Sequence, residues 1–140
     1  FLEGDSLHPA SNVARMAAGV ALGDEDREGW LQTLAGRLQQ AQAAGRGLVL
    51  SCSALKRAYR DILRRGAPDA RFLHLQGDYP LLAARMAART GHYMPLSLLA
   101  SQLSTLEAPG PEENAQSFDL ASRPEDIVAA VLAWRQTTGA

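Results

Sequence analysis

Short apolar runs alternate with longer stretches of helical periodicity along this chain. The predicted strands lie at residues 1–5, 48–52, 72–75 and 117–120. The helical stretches cover residues 12–19, 24 to the glycines at 45 and 47, 53–66, about 78–89, 95–106, and 122 onward. Such strand–helix alternation predicts βαβ units, and hence an α/β fold with a parallel sheet covered by helices on both faces.

Three helix starts are predicted from capping residues. Asp24 is the expected N-cap of the long second helix, and Ser53 is the expected cap of the third. Ser122 and Glu125 have the spacing of a capping box for the last helix, and Pro95 is expected to open the helix before it.

Polar side chains follow the predicted strands and should collect at one edge of the sheet. They are Asp5 and His8, Ser51 and Ser53, and Gln76 and Asp78. Parallel sheets bind ligands at the carboxyl ends of their strands. This edge is therefore the candidate site.

The composition predicts one folded domain over the 140 residues. Hydrophobic residues make up 46% and charged residues 21%, which excludes a disordered composition. The net charge of −1 argues against a nucleic-acid or membrane partner. Cys52 is the single cysteine, so no internal disulfide framework is expected, and a reducing cytoplasm is the predicted location.

Asp5 and His8 form the first group that could carry chemistry. A carboxylate at a strand end can accept a proton from a substrate hydroxyl or hold that hydroxyl in place. The alternative is that Asp5 caps a helix or turns the loop. Metal binding by Asp5, His8, Cys52 and His92 is not favoured, because no pair has the usual ligand spacing.

The third helix is unusually basic, and its charges fall into two rows. One row contains an acid that compensates its neighbours: Arg57, Asp61 and Arg65. The other row contains no acid: Lys56, Arg60 and Arg64. Its first two members lie near the candidate site, where they would suit an anionic substrate, whereas Arg64 is expected in solvent. The alternative is a solvated basic face.

Arg85 and Arg89 are four residues apart, just before the glycine-containing segment 90–93. Two arginines on one face above a mobile segment would suit a lid that closes over phosphates. Alternatively, they interact favourably with the carbonyl end of their helix. His74, inside an apolar run, is expected to be a core or edge histidine without a chemical role.

Several blocks of the sequence, taken together and in order, resemble gluconokinase. They lie at residues 3–9, 12–19, 22–31, 51–61, 91–94 and 101–109. This small P-loop family phosphorylates D-gluconate with ATP. The resemblance implies a nucleoside-monophosphate-kinase-like fold, ATP and Mg²⁺ as cofactors, 6-phosphogluconate as product and a homodimer.

The resemblance also assigns roles in the sugar-acid site. Asp5 matches the acid that orients or deprotonates the attacking 6-hydroxyl. His8, Lys56 and Arg60 match positions lining the sugar-acid pocket, and the two cations suit the gluconate carboxylate. His92 lies in the lid and is expected to touch substrate on closure.

The lid is expected at about residues 89–108. Arg85 resembles the lid arginine that packs on adenine or phosphates, and Arg89 resembles the one that reaches the transferring phosphate. Phosphoryl transfer depends mainly on positioning and charge stabilisation, which converging arginines supply.

The chain departs from the family at the phosphate-binding loop. The family opens with a strand and a G-x-x-x-x-G-K-S/T loop, but here the single lysine, Lys56, follows Leu55 and no such motif occurs. The first, central strand and its helix are expected to be missing, and Phe1 is expected to start within the second strand. The missing strand would lie between those at residues 48 and 72, leaving their edges unpaired and the chain poorly stable.

Two alternatives to a truncated gluconokinase stay open. One is another small-molecule P-loop kinase of the shikimate or nucleotide type. The other is a non-catalytic regulatory or interaction fragment. Thermal shifts with gluconate, shikimate and nucleoside monophosphates separate the kinases, and an in-frame phosphate-loop motif in the upstream DNA argues against the fragment.

The 140-residue chain by itself is predicted to have no kinase activity, because it lacks the loop that holds the phosphates of ATP. An assay that couples 6-phosphogluconate to NADP⁺ reduction measures this directly. ATP-dependent product formation by this chain would contradict the prediction.

Overall fold

The computed structural model describes residues 1–138, which fall into two compact units. The first unit contains Phe1–Ala70 and Thr90–Ala108. The second contains Arg71–Arg89 and the described residues from Pro109 onward. The expectation of a single domain with a lid at about 89–108 stays a prediction; most of that segment belongs to the first unit.

Four strands and six α-helices alternate along the chain. The strands are β1 (Leu2–Glu3), β2 (Leu50–Ser51), β3 (Phe72–Gln76) and β4 (Ala115–Asp119). The helices are α1 (Ala10–Ala17), α2 (Asp24–Ala43), α3 (Arg57–Gly66), α4 (Tyr79–Ala88), α5 (Leu99–Thr105) and α6 (Pro124–Thr137). Single 3₁₀ turns lie at Gly4–Leu7, Leu96–Leu98 and Pro111–Glu113. None of the described helices is long and apolar enough to cross a membrane.

Each unit has its own two-stranded parallel sheet. β1 pairs with β2, with Leu2 opposite Leu50. β3 pairs with β4 over five residues, with Phe72 opposite Ala115. In both sheets the paired strands are separated along the chain by helices, as βαβ connections require. The predicted α/β class with parallel strands is confirmed.

Two predicted strands are shorter than the sequence indicated. The run at residues 1–5 forms a strand only at β1, because the chain turns into the 3₁₀ turn at Gly4. The run at 48–52 pairs only over β2. The strand predicted at 117–120 instead begins at Ala115, because β4 pairs with β3 along its whole length.

The predicted N-caps at Asp24 and Ser53 were wrong. Gly23 is the N-cap of α2, and its amide donates to Asp26 Oδ2 at 2.8 Å, so Asp24 is already helical. The third helix starts at Arg57, after a turn in which Ala54 N donates to Cys52 O at 2.9 Å. Ser53 lies inside that turn, four residues before the helix starts, so it cannot be the N-cap.

The capping box predicted at Ser122 was also wrong. α6 begins at Pro124 with Arg123 as its N-cap, and no side chain caps it. Ser122 N donates to Asp119 O at 3.1 Å, so this residue still belongs to the turn after β4. Pro95 precedes a 3₁₀ turn rather than an α-helix, and α5 begins at Leu99.

The core of the first unit is centred on the contact between α2 and α3. Buried side chains of α2 are Trp30, Leu31, Leu34 and Ala35, and those of α3 are Tyr59, Arg60 and Leu63. Helical spacing predicts nine inward positions, and five of them are buried: 30, 31, 34, 59 and 63. The other four, at 38, 41, 55 and 62, are half-buried. In the second unit, Phe118 of β4 is buried and its ring meets Trp134 edge-on at 6.1 Å.

Gly66 allows α2 and α3 to approach each other closely, because a Cβ there would overlap the backbone carbonyl of Ala35. We expect Gly66→Ala to lower the free energy of unfolding by about 1–3 kcal/mol, the usual range for overpacking. Urea unfolding followed by far-UV circular dichroism measures it.

Gly29→Ala is the matched control, since Gly29 lies inside α2 with open space around its Cα. This change should raise the unfolding free energy by roughly 0.5–1 kcal/mol through reduced backbone entropy of the unfolded chain. Equal stability of Gly66→Ala and the wild type would mean that the helices can move apart freely.

Candidate active site around Asp5

Asp5 lies in the 3₁₀ turn directly after β1, as its position at a strand end predicts. Two histidines face its carboxylate. His92 Nε2 lies 3.0 Å from Asp5 Oδ2, and His8 Nε2 lies 3.9 Å from Asp5 Oδ1. The structure thus brings together three of the residues predicted for the site.

Trp30 holds the turn that carries Asp5. Its indole Nε1 donates to the Gly4 carbonyl at 2.8 Å, and its ring stacks on His8 with centroids 3.9 Å apart. Asn12 Nδ2 donates to Asp26 O at 2.7 Å and lies 3.4 Å from His8 Nδ1. The side chain of His8 is therefore held at one ring face and at one ring nitrogen, and it is only 3% exposed.

Hydrogen-bond partners assign the tautomers of both histidines. The Met94 amide donates to His92 Nδ1 at 3.2 Å, so neutral His92 carries its hydrogen on Nε2 and donates it to Asp5. The Asn12 amide similarly leaves His8 with its hydrogen on Nε2. His92 thus donates a hydrogen bond to Asp5, and the hydrogen of His8 faces the same carboxylate.

The electrostatics of the surroundings favour neutral partners for Asp5. Burial lowers the pKa of His8, opposed by the charge of Asp5 and assisted by that of Arg27. Tyr93 donates from its hydroxyl to the Asp5 carbonyl at 3.3 Å, and burial raises the pKa of Tyr93 to about 12. Both side chains are thus uncharged at neutral pH.

A small cleft, with a cavity volume of about 30 Å³, lies beside Asp5. One wall is polar and the other is formed by aliphatic and thioether side chains. Its lining residues are Asp5, His8, Met16, Leu22, Arg27, Ser53, Met94 and Gln102. In this form the cleft has room for about one water molecule beside the carboxylate of Asp5, so a larger ligand requires it to widen.

The basic helix α3 uses its cations differently from the sequence-based expectation. Lys56 Nζ pairs with Asp24 of α2 at 3.0 Å, and Arg64 pairs with Asp61 at 2.6 Å. The expectation of a solvated Arg64 was wrong, because Asp61 on the same helix pairs with it and its side chain is only 20% exposed. Lys56 finds its acid on another helix, which spacing within α3 does not consider. Lys56 is not among the described residues that line the cleft.

Arg60 is 1% exposed, and its guanidinium donates to the carbonyls of Ala54 and Leu55 at 2.9 and 3.2 Å. It therefore holds the loop between β2 and α3. Like Lys56, it is not among the described residues lining the cleft. The substrate-binding roles of these two residues stay predictions.

Arg85 and Arg89 lie on α4 and at its C-cap, in the second unit. Arg85 donates to the Leu120 carbonyl at 2.8 Å, and the Arg89 amide donates to Met86 O at 3.1 Å. Their predicted contacts with adenine and phosphates stay predictions.

His74 bonds through Nδ1 to Ser117 Oγ at 3.0 Å between the paired strands, as an edge histidine would.

Arg27 is a cleft residue that the sequence analysis missed. It is 6% exposed and lines the same cleft as Asp5 and His8. Arg27 directly follows the three acids of the first turn of α2, and a run of charged residues usually indicates a solvent-exposed segment. The signal that could have revealed it is spacing: Arg27 lies three and seven residues before Trp30 and Leu34, on the buried face of α2.

A second missed feature is a group of possible metal ligands. One ligand atom each of Glu3, Asp5 and His92 lies within 4.8 Å of the others. The two carboxylates of this group are of the kind that suits a hard cation. Cys52 is not part of this group, and burial raises the pKa of its thiol to about 12.

Comparison with solved structures defines the class of protein. The structure is similar to an unliganded sugar kinase from Janibacter sp. HTCC2649, with a TM-score of 0.90 and 46% identity over 96% of this chain and 78% of that one. It is also similar to a gluconokinase from Sinorhizobium meliloti 1021, with a TM-score of 0.80 and 46% identity over 94% and 73% of the two chains. The fold is that of a small-molecule kinase.

Sequence comparison identifies the family. The thermosensitive gluconokinase of Escherichia coli is 43% identical over 97% of this chain and 75% of its own length. The gluconokinase of Gluconobacter oxydans is 49% identical over 94% of this chain and 74% of its own. No family model matches. The chain belongs to the gluconokinase family.

The buried state of His8 predicts a pH dependence of stability. Because folding lowers its pKa below the ordinary value of 6.5, the unfolded chain binds the proton more readily. Stability contributed by neutral His8 is therefore lost as pH falls below about 6.5. We expect His8→Asn to flatten the fall in urea midpoint between pH 7.5 and 5.5.

Above pH 7.5 the two proteins should show parallel pH profiles, since His8 is neutral in both folded and unfolded chains there. The variant also loses the stacking of His8 on Trp30, which lowers its stability at every pH. The difference in urea midpoint above pH 7.5 measures that loss by itself. Identical slopes of wild type and variant below pH 6.5 would show that His8 protonates freely in the folded protein.

Proposed function

We propose that this protein catalyses the ATP-dependent phosphorylation of D-gluconate to 6-phospho-D-gluconate. Family membership supports the reaction. The observation that carries the site assignment is Asp5, which lies beside the cleft with one imidazole N–H donated to it and a second facing it. This arrangement suits a carboxylate that accepts a hydroxyl proton.

In the proposed mechanism, the 6-hydroxyl of gluconate donates a hydrogen bond to Asp5. As that oxygen bonds to the transferred phosphorus and the bond to the leaving phosphate breaks, the hydroxyl proton passes to the carboxylate. His92, donating to Oδ2, fixes the plane of the carboxylate so that its other oxygen can face the hydroxyl. His8 and Tyr93 support the same turn without adding charge.

Mg²⁺ bound with ATP would supply charge neutralisation on the phosphates. We propose Glu3 as the carboxylate that would hold it, because Mg²⁺ is usually bound by one or two carboxylates together with substrate phosphates and Asp5 is assigned to the hydroxyl proton. Arg85 and Arg89 remain our proposal for contacts with the nucleotide. The 140 residues contain no G-x-x-x-x-G-K-S/T loop, so no phosphate cradle is assigned to them.

The segment Thr90–Ala108 is our proposed lid. Its His92 bonds to Asp5 of the same unit and Met94 lines the cleft, so its movement would open the cleft to gluconate. His8, Lys56 and Arg60 are retained as proposed sugar-acid residues. We also propose that the protein is cytoplasmic and forms a homodimer.

Asp5→Asn tests the assigned role, because the amide keeps the size of the side chain but cannot take a proton. In the protein expressed from its full reading frame, kcat for gluconate phosphorylation should fall by about 10²–10⁴-fold. The KM values for gluconate and ATP should change much less. A coupled assay of 6-phosphogluconate gives all three constants.

Asp69→Asn is the matched control, since Asp69 is exposed in the turn after α3. It should keep the wild-type kcat. If Asp5→Asn keeps the wild-type turnover, Asp5 is not the proton acceptor. If the wild-type protein does not phosphorylate gluconate, the proposed reaction is wrong.

A further inference from the structure

Arg27 carries a buried donor that the folded protein does not use. Its NH2 group donates to the Leu22 carbonyl at 3.4 Å, whereas its Nε is buried and has no hydrogen-bond partner in the described structure. An unpaired buried donor on a charged group is strongly unfavourable, and native proteins rarely retain one without a ligand or a role.

The acids next to Arg27 do not neutralise it. Asp24 accepts hydrogen bonds from Lys56 and the Tyr59 hydroxyl, and Asp26 accepts from Arg15 at 2.8 Å and from the Gly23 amide. Arg27 forms no ion pair with a described residue. Arg27 is therefore a buried cation that can accept an anionic ligand.

The surroundings of Arg27 orient it and strengthen its attraction for an anion. Its guanidinium lies 5.4 Å from the centre of the Tyr59 ring, which supports one face. Met16, Leu22 and Met94 form the apolar part of the cleft that Arg27 lines. Exclusion of water by such side chains makes a charge pair stronger than at the surface.

We propose that Arg27 binds the carboxylate of the sugar acid and so selects gluconate over uncharged polyols. This inference rests on the proposed function. The planar guanidinium matches a carboxylate in geometry, and one arginine balances its single charge. A transferring phosphoryl group carries more charge and is usually held by several cations. Arg27 and Asp5 line one cleft, so one molecule can contact both.

Arg27→Gln tests the proposal in the protein expressed from its full reading frame. Loss of one partner of a buried charge pair should raise the KM and Kd for gluconate at least about 30-fold. The KM for ATP should stay within about twofold. Glucitol, which has a hydroxymethyl group in place of the carboxylate, should bind wild type and variant equally weakly in calorimetry. Arg27→Lys should restore part of the gluconate affinity.

Arg37→Gln is the control on the same helix, where the arginine is exposed. It should leave every constant unchanged. A measurement on the wild type covers the case in which Arg27→Gln does not fold: the Arg27 Nε–H resonance should shift with gluconate and not with glucitol.

Unchanged gluconate affinity in a folded Arg27→Gln variant, or an Nε–H resonance indifferent to gluconate, would overturn the proposal. A rise in the KM for ATP alone would assign Arg27 to phosphate and equally overturn it. If the wild-type protein binds gluconate but does not phosphorylate it, the proposed reaction is wrong. The binding measurements on Arg27→Gln then still test the role of Arg27. A wild type that binds no gluconate overturns both.

Discussion

The candidate site depends on Trp30, which joins the long helix α2 to the turn after β1. Its indole donates to the Gly4 carbonyl, and its ring stacks on His8. Gly4 is required at this point, since a Cβ would overlap the Ser51 carbonyl of the paired strand β2. Asp5 therefore lies between a strand pair and a helix core that both restrain its backbone. Such restraint provides the positioning on which phosphoryl transfer depends.

Several cations of the first unit hold the protein together, whereas Arg27 has a buried Nε without a hydrogen-bond partner in the described structure. Lys56 bonds to Asp24 across the α2–α3 contact, and Arg60 ties down the loop before α3. Arg15 pairs with Asp26. These contacts occupy the two aspartates nearest Arg27 in the first turn of its helix. The buried charge of Arg27 is thus left facing the cleft, where binding of an anion would satisfy it.

Part of this arrangement could be anticipated from local pattern. Asp5 and His8 follow a short apolar run, and ligands gather at strand ends in parallel sheets. Resemblance to a family, not periodicity, placed His92 in the site, because 87 positions separate it from Asp5. Arg27 was overlooked because three neighbouring acids concealed its place on an apolar helix face. The caps failed because Gly23 and the turn at 52–54 decide where α2 and α3 begin.

Sequence alone determined the α/β class, the inward face of α2 and α3, and the resemblance to a sugar-acid kinase, since hydrophobic spacing and residue blocks are properties of the chain. Tertiary structure alone decided which charges are available for a ligand. Lys56 appeared available within its own helix, yet Asp24 of another helix pairs with it. Arg27 received no role from the sequence, yet packing buries it with an unpaired Nε. Ion pairing and burial depend on distances across the fold, which spacing along one helix does not contain.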